Sequence, residues 1–443
     1  LAEFGKTLPQ VAVSQVVGHG CSKLAMDNIQ KTIVDEKLNR VVIGGCSPRT
    51  HEAKFQDLLQ KAALNKYLVE IANIRDQDTW VHANDPEGAL KKAQHLISMA
   101  VTSVKQAHPL MEHSLPMNKG ILVVGGGVTG MSSALSLADQ GFKVFLVEKT
   151  AELGGIAKNI QKTIDGEAVP PFMQALADKA TAHPSIEVIF NAIIVDHTGM
   201  PGMFKTGLQI APQMYYRQIE HGATVLATGA VHNVPRAYRL GEHKAVTTQI
   251  ELDSLIEDHP EQVKSWDTLA MIQCVGSRTP DNPNCSRICC QSAIKNALRV
   301  LDLNPEMQVF VLYRDMRTYG FSEDYYALAR RRGVIFVRYD AETPPEVNDD
   351  GDRVSVVFTD PILGRQLEVA ADCLALSTGM AVNEESTEDL AMIFHLNRTL
   401  DGCFLEEHVK LRPTDLSVPG FFVAGSVHAP KNIKECIAQA QAA

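Results

Sequence analysis

The sequence contains no apolar run of the length that a membrane span requires, and its basic residues do not outnumber the acidic ones. It has 42 Lys and Arg residues against 52 Asp and Glu residues, which gives a net charge of −10. Because binding to a phosphate backbone requires a basic surface, this balance argues against nucleic acid as the main partner. The first residues also lack the pattern of a secretory signal peptide. We therefore expect a cytoplasmic protein without a direct membrane span.

Cysteine is scarce outside one segment, and no two cysteines have the Cys-x-x-Cys spacing of a redox-active pair. The total of nine is odd, and four of the nine lie in 274–290, which is not the pattern of a secreted disulfide framework. A reducing cytoplasm, with some cysteines as metal ligands, fits better. The chain opens with "LAEFGKTLPQ" and stops at "AQAQAA" inside a helical pattern, so we expect a fragment of a longer polypeptide.

Residues 1–110 predict a small α/β domain. "RVVIGGC" (40–46) is a short apolar strand that ends in glycines, and the next segment has Ser and Pro at a helix start. Residues 87–107 predict a long amphipathic helix, because apolar residues recur there at helical spacing. Residues 108–120 are predicted to be a linker to the next domain.

Segment 119–155 has the pattern of a dinucleotide site. An apolar strand leads into Gly125-x-Gly127-x-x-Gly130, a helix of small residues follows, and a second strand ends in Glu148. Glycines let backbone N–H groups and the helix dipole face a pyrophosphate, and the acid can bind the ribose hydroxyls. A glycine-rich turn without a ligand is the alternative, which the complete strand–helix–strand pattern disfavours. The continuation "ELGG" favours FAD over NAD, and the other predicted contacts in this segment are Lys149, Gly154 and Gly155.

Two later strands, 222–230 and 372–380, both end in Thr-Gly, as expected of a flavoprotein with two dinucleotide domains. Segment 415–443 predicts a strand, a loop and a helix, whose dipole would stabilise reduced flavin; a plain βα unit is the alternative. We expect an α/β fold with a FAD-binding domain at 119–262 and 380–443, interrupted by an NAD(P)-domain-like unit at 263–379. The predicted FAD contacts in these later segments are Thr228, Gly229, Gly425, Lys431 and Ile433.

The second unit lacks the glycine loop that its strands lead one to expect. Between strands 268–273 and 307–316 the sequence has "CVGSRTPDNPNCSRICC", so we expect no ordinary NAD(P)H binding. A structural zinc is one alternative, but zinc sites usually take closely paired cysteines, and a disulfide is disfavoured in a reducing compartment. Adjacent cysteines suit a 4Fe-4S cluster better, because each can reach a different iron. The four predicted ligands are Cys274, Cys285, Cys289 and Cys290.

At these residues the sequence resembles the A subunit of heterodisulfide reductase and its relatives, which include flavin/iron–sulfur subunits of quinone-interacting membrane-bound oxidoreductase. The resemblance covers nearly the whole chain and depends on "CSPRTHE" (46–52), "ANIRDQDTWVH" (72–82), "VVGGGVTGM" (123–131) and the cysteine segment. It implies a thioredoxin-reductase-like fold, FAD on the Gly125 motif and an unusual 4Fe-4S site. It also implies work inside a larger complex, with other redox subunits and ferredoxin, hydrogenase or dehydrogenase modules as partners.

The resemblance further implies a role for Lys295, in "CCQSAIK", close to the flavin ring, where its charge would stabilise reduced flavin. A solvated helix lysine is the alternative. Cys21 and Cys46 are candidate ligands of a second, N-terminal cluster whose other ligands would lie outside this sequence; buried apolar cysteines are the alternative. Residues 155–222 contain no cysteine, so the ferredoxin module that family members insert in the flavin domain is expected to be absent.

The leading hypothesis is thus an oxidoreductase: an electron-transfer subunit that passes or bifurcates electrons between flavin and iron–sulfur clusters. An NAD(P)H-dependent flavin disulfide reductase is the first alternative, opposed by the missing second glycine loop and the missing Cys-x-x-Cys pair. A non-catalytic scaffold that keeps FAD structurally is the second. The remaining cysteines are predicted to be structural: Cys373, Cys403 and Cys436.

Overall fold

The computed structural model describes residues 1–280 and 282–443, which form two compact units, Leu1–Leu115 and Pro116–Ala443. The N-terminal unit has a small parallel sheet between helices. Its elements are, in chain order, α1 (Ala2–Thr7), α2 (Lys23–Asp35), β1 (Val41–Gly45), α3 (Pro48–Lys61), β2 (Val69–Asn73) and α4 (Pro86–Gln106).

Strands β1 and β2 pair in parallel, and their apolar residues pack with α2 and α3 through Ile29, Phe55 and Leu59. Helix α4 begins after Asp85, whose carboxylate accepts a hydrogen bond from the Gly88 N–H group. The predicted strand 40–46 and helix 87–107 are confirmed to within a residue or two at each end.

The first half of the second unit combines βαβ elements with antiparallel strands. Its elements are β3 (Gly120–Val124), α5 (Val128–Asp139), β4 (Lys143–Val147), α6 (Val169–Ala182), β5 (Ile186–Ile189), β6 (Ala192–Thr198), β7 (Phe204–Ile210), β8 (Tyr215–His221), β9 (Ala223–Leu226) and β10 (Val231–His232).

The second half repeats this combination. Its elements are β11 (Val246–Thr248), α7 (Gln249–Asp258), α8 (Pro260–Lys264), β12 (Thr268–Ile272), α9 (Cys289–Leu303), β13 (Gln308–Tyr313), α10 (Ser322–Arg331), β14 (Ile335–Arg338), β15 (Glu346–Asp350), β16 (Arg353–Asp360), β17 (Arg365–Ala371), β18 (Cys373–Leu376), β19 (Met380–Ala381), α11 (Glu384–Phe394), β20 (Glu406–His408), β21 (Arg412–Leu416), β22 (Phe421–Val423) and α12 (Ile433–Ala442).

The first sheet of this unit has seven strands in the order β20-β21-β22-β9-β3-β4-β5. Alternate residues of β3 point to opposite faces, because side chains alternate along a strand. Leu122 packs toward the antiparallel sheet β6-β7-β8 and α11, whereas Val123 packs toward α5, α6 and α12. Both faces are covered, which explains why β3 is buried along its whole length.

The second sheet is fully parallel, in the order β11-β18-β12-β13-β14. Its core is divided in the same way: Met271 packs with α7 and α9, and Ile272 packs with the antiparallel sheet β15-β16-β17. The carboxyl ends of β12 and β18 lie side by side at one edge, which is where open α/β sheets bind their ligands.

The chain passes from the first sheet to the second after β10 and returns through β19, and these two short strands pair antiparallel. The second sheet is therefore an insertion between strands of the first. Because β11 and α7 belong to the second sheet and its core, the boundary that the sequence suggested at residue 262 falls inside this insertion. The boundaries at 110 and 379 stay predictions.

Candidate functional site

The glycine loop connects β3 to α5. Gly125 has a φ of 109°. Gly127 is the residue just before α5, and no side chain of the described residues caps the N–H groups of the first turn of this helix. A Cβ added at Gly130 would lie 1.7 Å from the Gly125 carbonyl oxygen, whereas one added at Gly127 would meet no described atom within 4 Å. Gly130 therefore allows the helix to pack on the strand, and Gly127 leaves space at a helix N-terminus, where a phosphate can bind.

Glu148 closes one side of this loop. Its buried carboxylate accepts a hydrogen bond from the Gly126 N–H group at 2.7 Å and, through the other oxygen, from the Thr150 N–H and hydroxyl groups at 2.8 Å. The Gly154 N–H group donates to the Gly126 carbonyl at 2.8 Å, so "ELGG" is brought against the loop. Gly155 has a positive φ and follows Gly154 directly, and Lys149, next to Glu148 in the chain, is exposed.

The later predicted FAD contacts reach the same edge of the first sheet. Thr228 and Gly229 follow β9, and within the described residues the buried Thr228 hydroxyl has no hydrogen-bond partner. Gly425 follows β22, and a Cβ there would lie 2.3 Å from the Thr129 hydroxyl in the first turn of α5. The glycine loop, Glu148 and the Gly425 loop therefore meet where β3, β4, β9 and β22 end. An extended dinucleotide fits this combination of backbone N–H groups, a hydroxyl and a carboxylate.

The segment after Gly425 leads into α12, which begins at Ile433 and is capped by Asn432. Lys431 precedes it and is half buried; its ammonium lies 3.2 Å from His428 Nδ1 and donates to the Ala429 carbonyl at 3.3 Å. Burial lowers the pKa of Lys431. Helix α12 packs on α5, and the Ser133 hydroxyl donates to the Ala440 carbonyl at 3.2 Å.

The structure brings the four clustered cysteines together. All four line one small cavity at the carboxyl end of β12, with Cys289 and Cys290 as the first two residues of α9. The Arg287 N–H group lies 3.4 Å from Cys285 Sγ, and the Arg317 N–H group lies 3.4 Å from Cys290 Sγ. Within the described residues, no three His, Cys, Asp or Glu side chains form a set that could hold a single metal ion.

Three of the thiols that line this cavity have raised pKa values. Burial raises the pKa of Cys274 and Cys289, and it raises the pKa of Cys290 to about 11. Arg278 opposes this effect at Cys274 and is itself paired with Asp315 at 2.6 Å. A metal or cluster that binds thiolates here must therefore displace protons.

In the described residues of the cysteine loop (274–280 and 282–290), three non-glycine residues have left-handed backbone conformations: Cys274, Arg278 and Arg287, with φ of 62°, 58° and 62°. Each such conformation costs on the order of 1–3 kcal/mol and persists only where surrounding contacts impose it. Two hydrogen bonds from outside the loop hold it in this conformation. The Asn233 side chain donates to the Gly276 carbonyl at 3.2 Å, and the Ser286 hydroxyl accepts from the Met380 N–H group at 2.9 Å.

Lys295 lies on α9, one and a half turns after the adjacent cysteines, and it is 8% exposed. Its ammonium pairs with Asp253 at 2.8 Å and donates to the Lys162 carbonyl, in the segment between β4 and α6, at 3.0 Å. The alternative of a solvated helix lysine is therefore wrong. A role toward flavin stays a prediction.

In the N-terminal unit, Cys21 and Cys46 line one cavity of about 1050 Å³. Cys21 is exposed, and Cys46 Sγ accepts a hydrogen bond from Arg75 at 3.3 Å. Cys373, Cys403 and Cys436 are buried, and all nine cysteines are free. Their structural role stays a prediction.

Sequence reasoning missed the residues that hold the site in place. Asp253 pairs with Lys295, and Arg287 pairs with Glu435, which is 148 residues later in the chain. Such pairs join segments far apart in sequence, so no motif could have indicated them. The only available signal was the position of Arg287 between two cysteines.

Comparison with known proteins supports the fold. Residues 123–185, which include the glycine loop, match the NAD(P)-binding Rossmann-like domain family. Thioredoxin reductase of T. acidophilum is 15% identical and superposes with a TM-score of 0.50 over 73% of this chain and 96% of that one. The predicted thioredoxin-reductase-like fold is confirmed. No described helix has both the length and the apolar character needed to cross a membrane.

Two curated relatives match along the whole chain. The A subunit of the H(2):CoB-CoM heterodisulfide,ferredoxin reductase of Methanothermobacter thermautotrophicus is 31% identical over 535 positions, covering 100% of this chain and 80% of that protein. An iron-sulfur A subunit of the CoB–CoM heterodisulfide reductase of Methanopyrus kandleri is also 31% identical, covering 100% and 81%. Both alignments are longer than the 443 residues of this chain, so they include positions where it has no residue. This chain belongs to the A-subunit family of heterodisulfide reductases, which are oxidoreductases.

Proposed function

We propose that this chain is the FAD- and 4Fe-4S-containing electron-transfer subunit of a heterodisulfide-reductase-like complex, and that it passes or bifurcates electrons in the cytoplasm. The observation that carries the proposal is the cavity lined by Cys274, Cys285, Cys289 and Cys290, at the sheet edge where a second nucleotide loop would lie. Nine free cysteines favour a reducing compartment.

The first sheet supplies the residues that would hold FAD. The N-terminus of α5 after Gly127 would bind the pyrophosphate, Glu148 would bind ribose hydroxyls, and the Gly425 loop with α12 would face the isoalloxazine. FAD, when bound, exchanges electrons singly or in pairs. The remaining predicted contacts would complete this site: Gly125, Gly130, Lys149, Gly154, Gly155, Thr228, Gly229, Lys431 and Ile433.

The four cysteines would hold the cluster, which requires four thiolates. The N–H groups of Arg287 and Arg317 already point at two of the sulfurs, and such hydrogen bonds stabilise the charge of an iron–sulfur site. Cys21 and Cys46 would contribute to a second cluster in the N-terminal unit. Lys295 would serve as the buried cation that stabilises reduced flavin.

The partners would be other redox subunits of the complex, with ferredoxin, hydrogenase or dehydrogenase modules among them. Related proteins carry heterodisulfide, ferredoxin and iron–sulfur in their names, which supports this choice. An NAD(P)H-dependent flavin disulfide reductase has the same fold and is the competing function. Such a reductase needs a phosphate loop at the second sheet. In this chain the cysteine loop replaces it, which disfavours that function.

Metal and flavin analysis of protein purified without oxygen tests the proposal. We expect one FAD and about four irons on the four cysteines, plus any iron held in the N-terminal unit. Cys289→Ala should remove this cluster and its EPR signal while FAD stays bound, because the glycine loop belongs to the other sheet. Cys403→Ala, at a buried cysteine outside the cavity, is the matched control and should keep both. One zinc with no iron would contradict the proposal.

A further inference from the structure

Arg287 belongs to the cysteine loop, but its side chain is bound by residues outside that loop. Its guanidinium donates to Glu435 Oε1 at 3.0 Å and lies over the ring of Tyr319, 4.9 Å from the ring centroid. The Tyr319 hydroxyl donates to the same Glu435 oxygen at 2.8 Å. One carboxylate oxygen thus receives two donors, from two different segments of the second sheet's domain.

Glu435 also fixes the first turn of α12. Its other oxygen accepts a hydrogen bond from the Asn432 N–H group at 3.0 Å, and the Asn432 side chain accepts from the Glu435 N–H group at 2.9 Å. This reciprocal capping box determines where α12 begins. A movement of Glu435 would therefore move the start of the helix that packs on α5.

Two backbone hydrogen bonds connect these side chains to the cysteine sulfurs. The N–H group of Arg287 itself points at Cys285 Sγ, and the N–H group of Arg317, two residues before Tyr319, points at Cys290 Sγ. The left-handed φ of 62° at Arg287 turns the chain at this point. Two separate routes thus lead from the cysteine cavity to the same carboxylate.

We propose that Arg287 is a positioning residue that ties the cysteine loop to the first turn of α12, so that a group bound at either place changes the other. The contact is given by the structure, whereas the identity of the bound groups rests on the proposed function. Through this contact, a group bound in the cysteine cavity alters how tightly the first sheet binds flavin, and it alters the reduction potential of that flavin.

Amide hydrogen exchange of the full chain tests the contact. Arg287→Gln should accelerate exchange of the first turns of α12, residues 433–438, and Glu435→Gln should accelerate exchange of the loop 284–290. The loss of a part-exposed ion pair should accelerate amide exchange roughly two- to five-fold. The double variant should show no more than the larger single effect. Lys434→Gln is the control, because Lys434 is on the same turn but pairs with Asp165. Unchanged exchange at the far end, or additive effects, would overturn the proposal.

Spectroelectrochemical titration of bound flavin separates positioning from simple stabilisation. Removing the cluster through Cys289→Ala should shift the flavin potential in the parent chain, and this shift should be at least halved in an Arg287→Gln background. Arg287→Lys should restore part of it, since the cation is kept. An equal shift in both backgrounds would refute the role of Arg287. Absence of iron or FAD would instead refute the proposed function, and the exchange experiment would still decide whether the contact couples the two segments.

Discussion

The ammonium of Lys295 pairs with the carboxylate of Asp253 at 2.8 Å, and the two side chains are 9% and 2% exposed. Asp253 also pairs with Arg299 and accepts a hydrogen bond from the Gln161 N–H group at 2.8 Å. It therefore joins α7, α9 and the segment between β4 and α6. Burial lowers the pKa of Lys295, and the Asp253 charge opposes that effect.

Asp253→Asn should destabilise the protein by about 3–5 kcal/mol, because it leaves a buried ammonium without its counter-charge. The measurement is the free energy of unfolding from urea titration. Glu257→Gln is the control: Glu257 pairs with the same Arg299 but is 45% exposed, so we expect a loss of about 1 kcal/mol or less. Equal losses in the two variants would show that Asp253 does not act as the buried counter-charge.

Gly127→Val and Gly130→Ala should fail in different ways. A Cβ at Gly127 would meet no described atom within 4 Å, so this variant should fold normally but bind no FAD. A methyl group at Gly130 would collide with the Gly125 carbonyl, so that variant should lose about 3 kcal/mol or more of stability. Flavin absorbance and thermal unfolding of the cofactor-free variants distinguish the two. Stoichiometric FAD in Gly127→Val would show that the loop does not bind the pyrophosphate.

The isolated protein should lack appreciable NADH or NADPH oxidation with artificial electron acceptors. The reason is that the cysteine loop, anchored by Ser286 and Asn233, occupies the edge of the second sheet where a nicotinamide nucleotide would bind. Anaerobic stopped-flow absorbance at the flavin band is the measurement. Rapid and saturable flavin reduction by either nucleotide would favour the disulfide reductase function instead.

Acid should destabilise the antiparallel sheet β6-β7-β8 through His221. Burial lowers the pKa of His221 to about 4, and its ring is held by the Thr206 hydroxyl at 2.8 Å and the Ala223 carbonyl at 3.0 Å. The unfolded state, with an ordinary histidine pKa, binds more protons, so stability is lost as the pH falls from about 6.5 to 4. The loss should reach about 3 kcal/mol at pH 4.

Urea titrations at several pH values measure this dependence. His221→Gln should be less stable at pH 7 but should show a smaller decrease between pH 6.5 and 4. A variant with the same pH slope as the parent chain would assign the effect to other groups.

The sequence predicted those features that depend on neighbours along the chain. The strand–Gly125-x-Gly127-x-x-Gly130–helix pattern and the position of Cys274 at a strand end are local, and the structure shows β3, α5 and β12 where they were expected. Strand β11 has three residues, too few for a period, so its place in the second sheet could not be inferred. The partners of Arg287 and Lys295 depend on tertiary packing, which no local pattern records.

The insertion of the second sheet has a consequence for biosynthesis. Strand β22 pairs with β9 through Phe421 and Thr224, which are 197 residues apart, whereas the strands of the second sheet all lie between Val246 and Leu376. The ribosome therefore synthesises the whole cysteine-bearing sheet before β22, which the first sheet needs to be complete. Contacts of such long range fold slowly. The cysteine-bearing sheet can consequently fold while the candidate dinucleotide site is still incomplete, and α12 is the last element that this site requires.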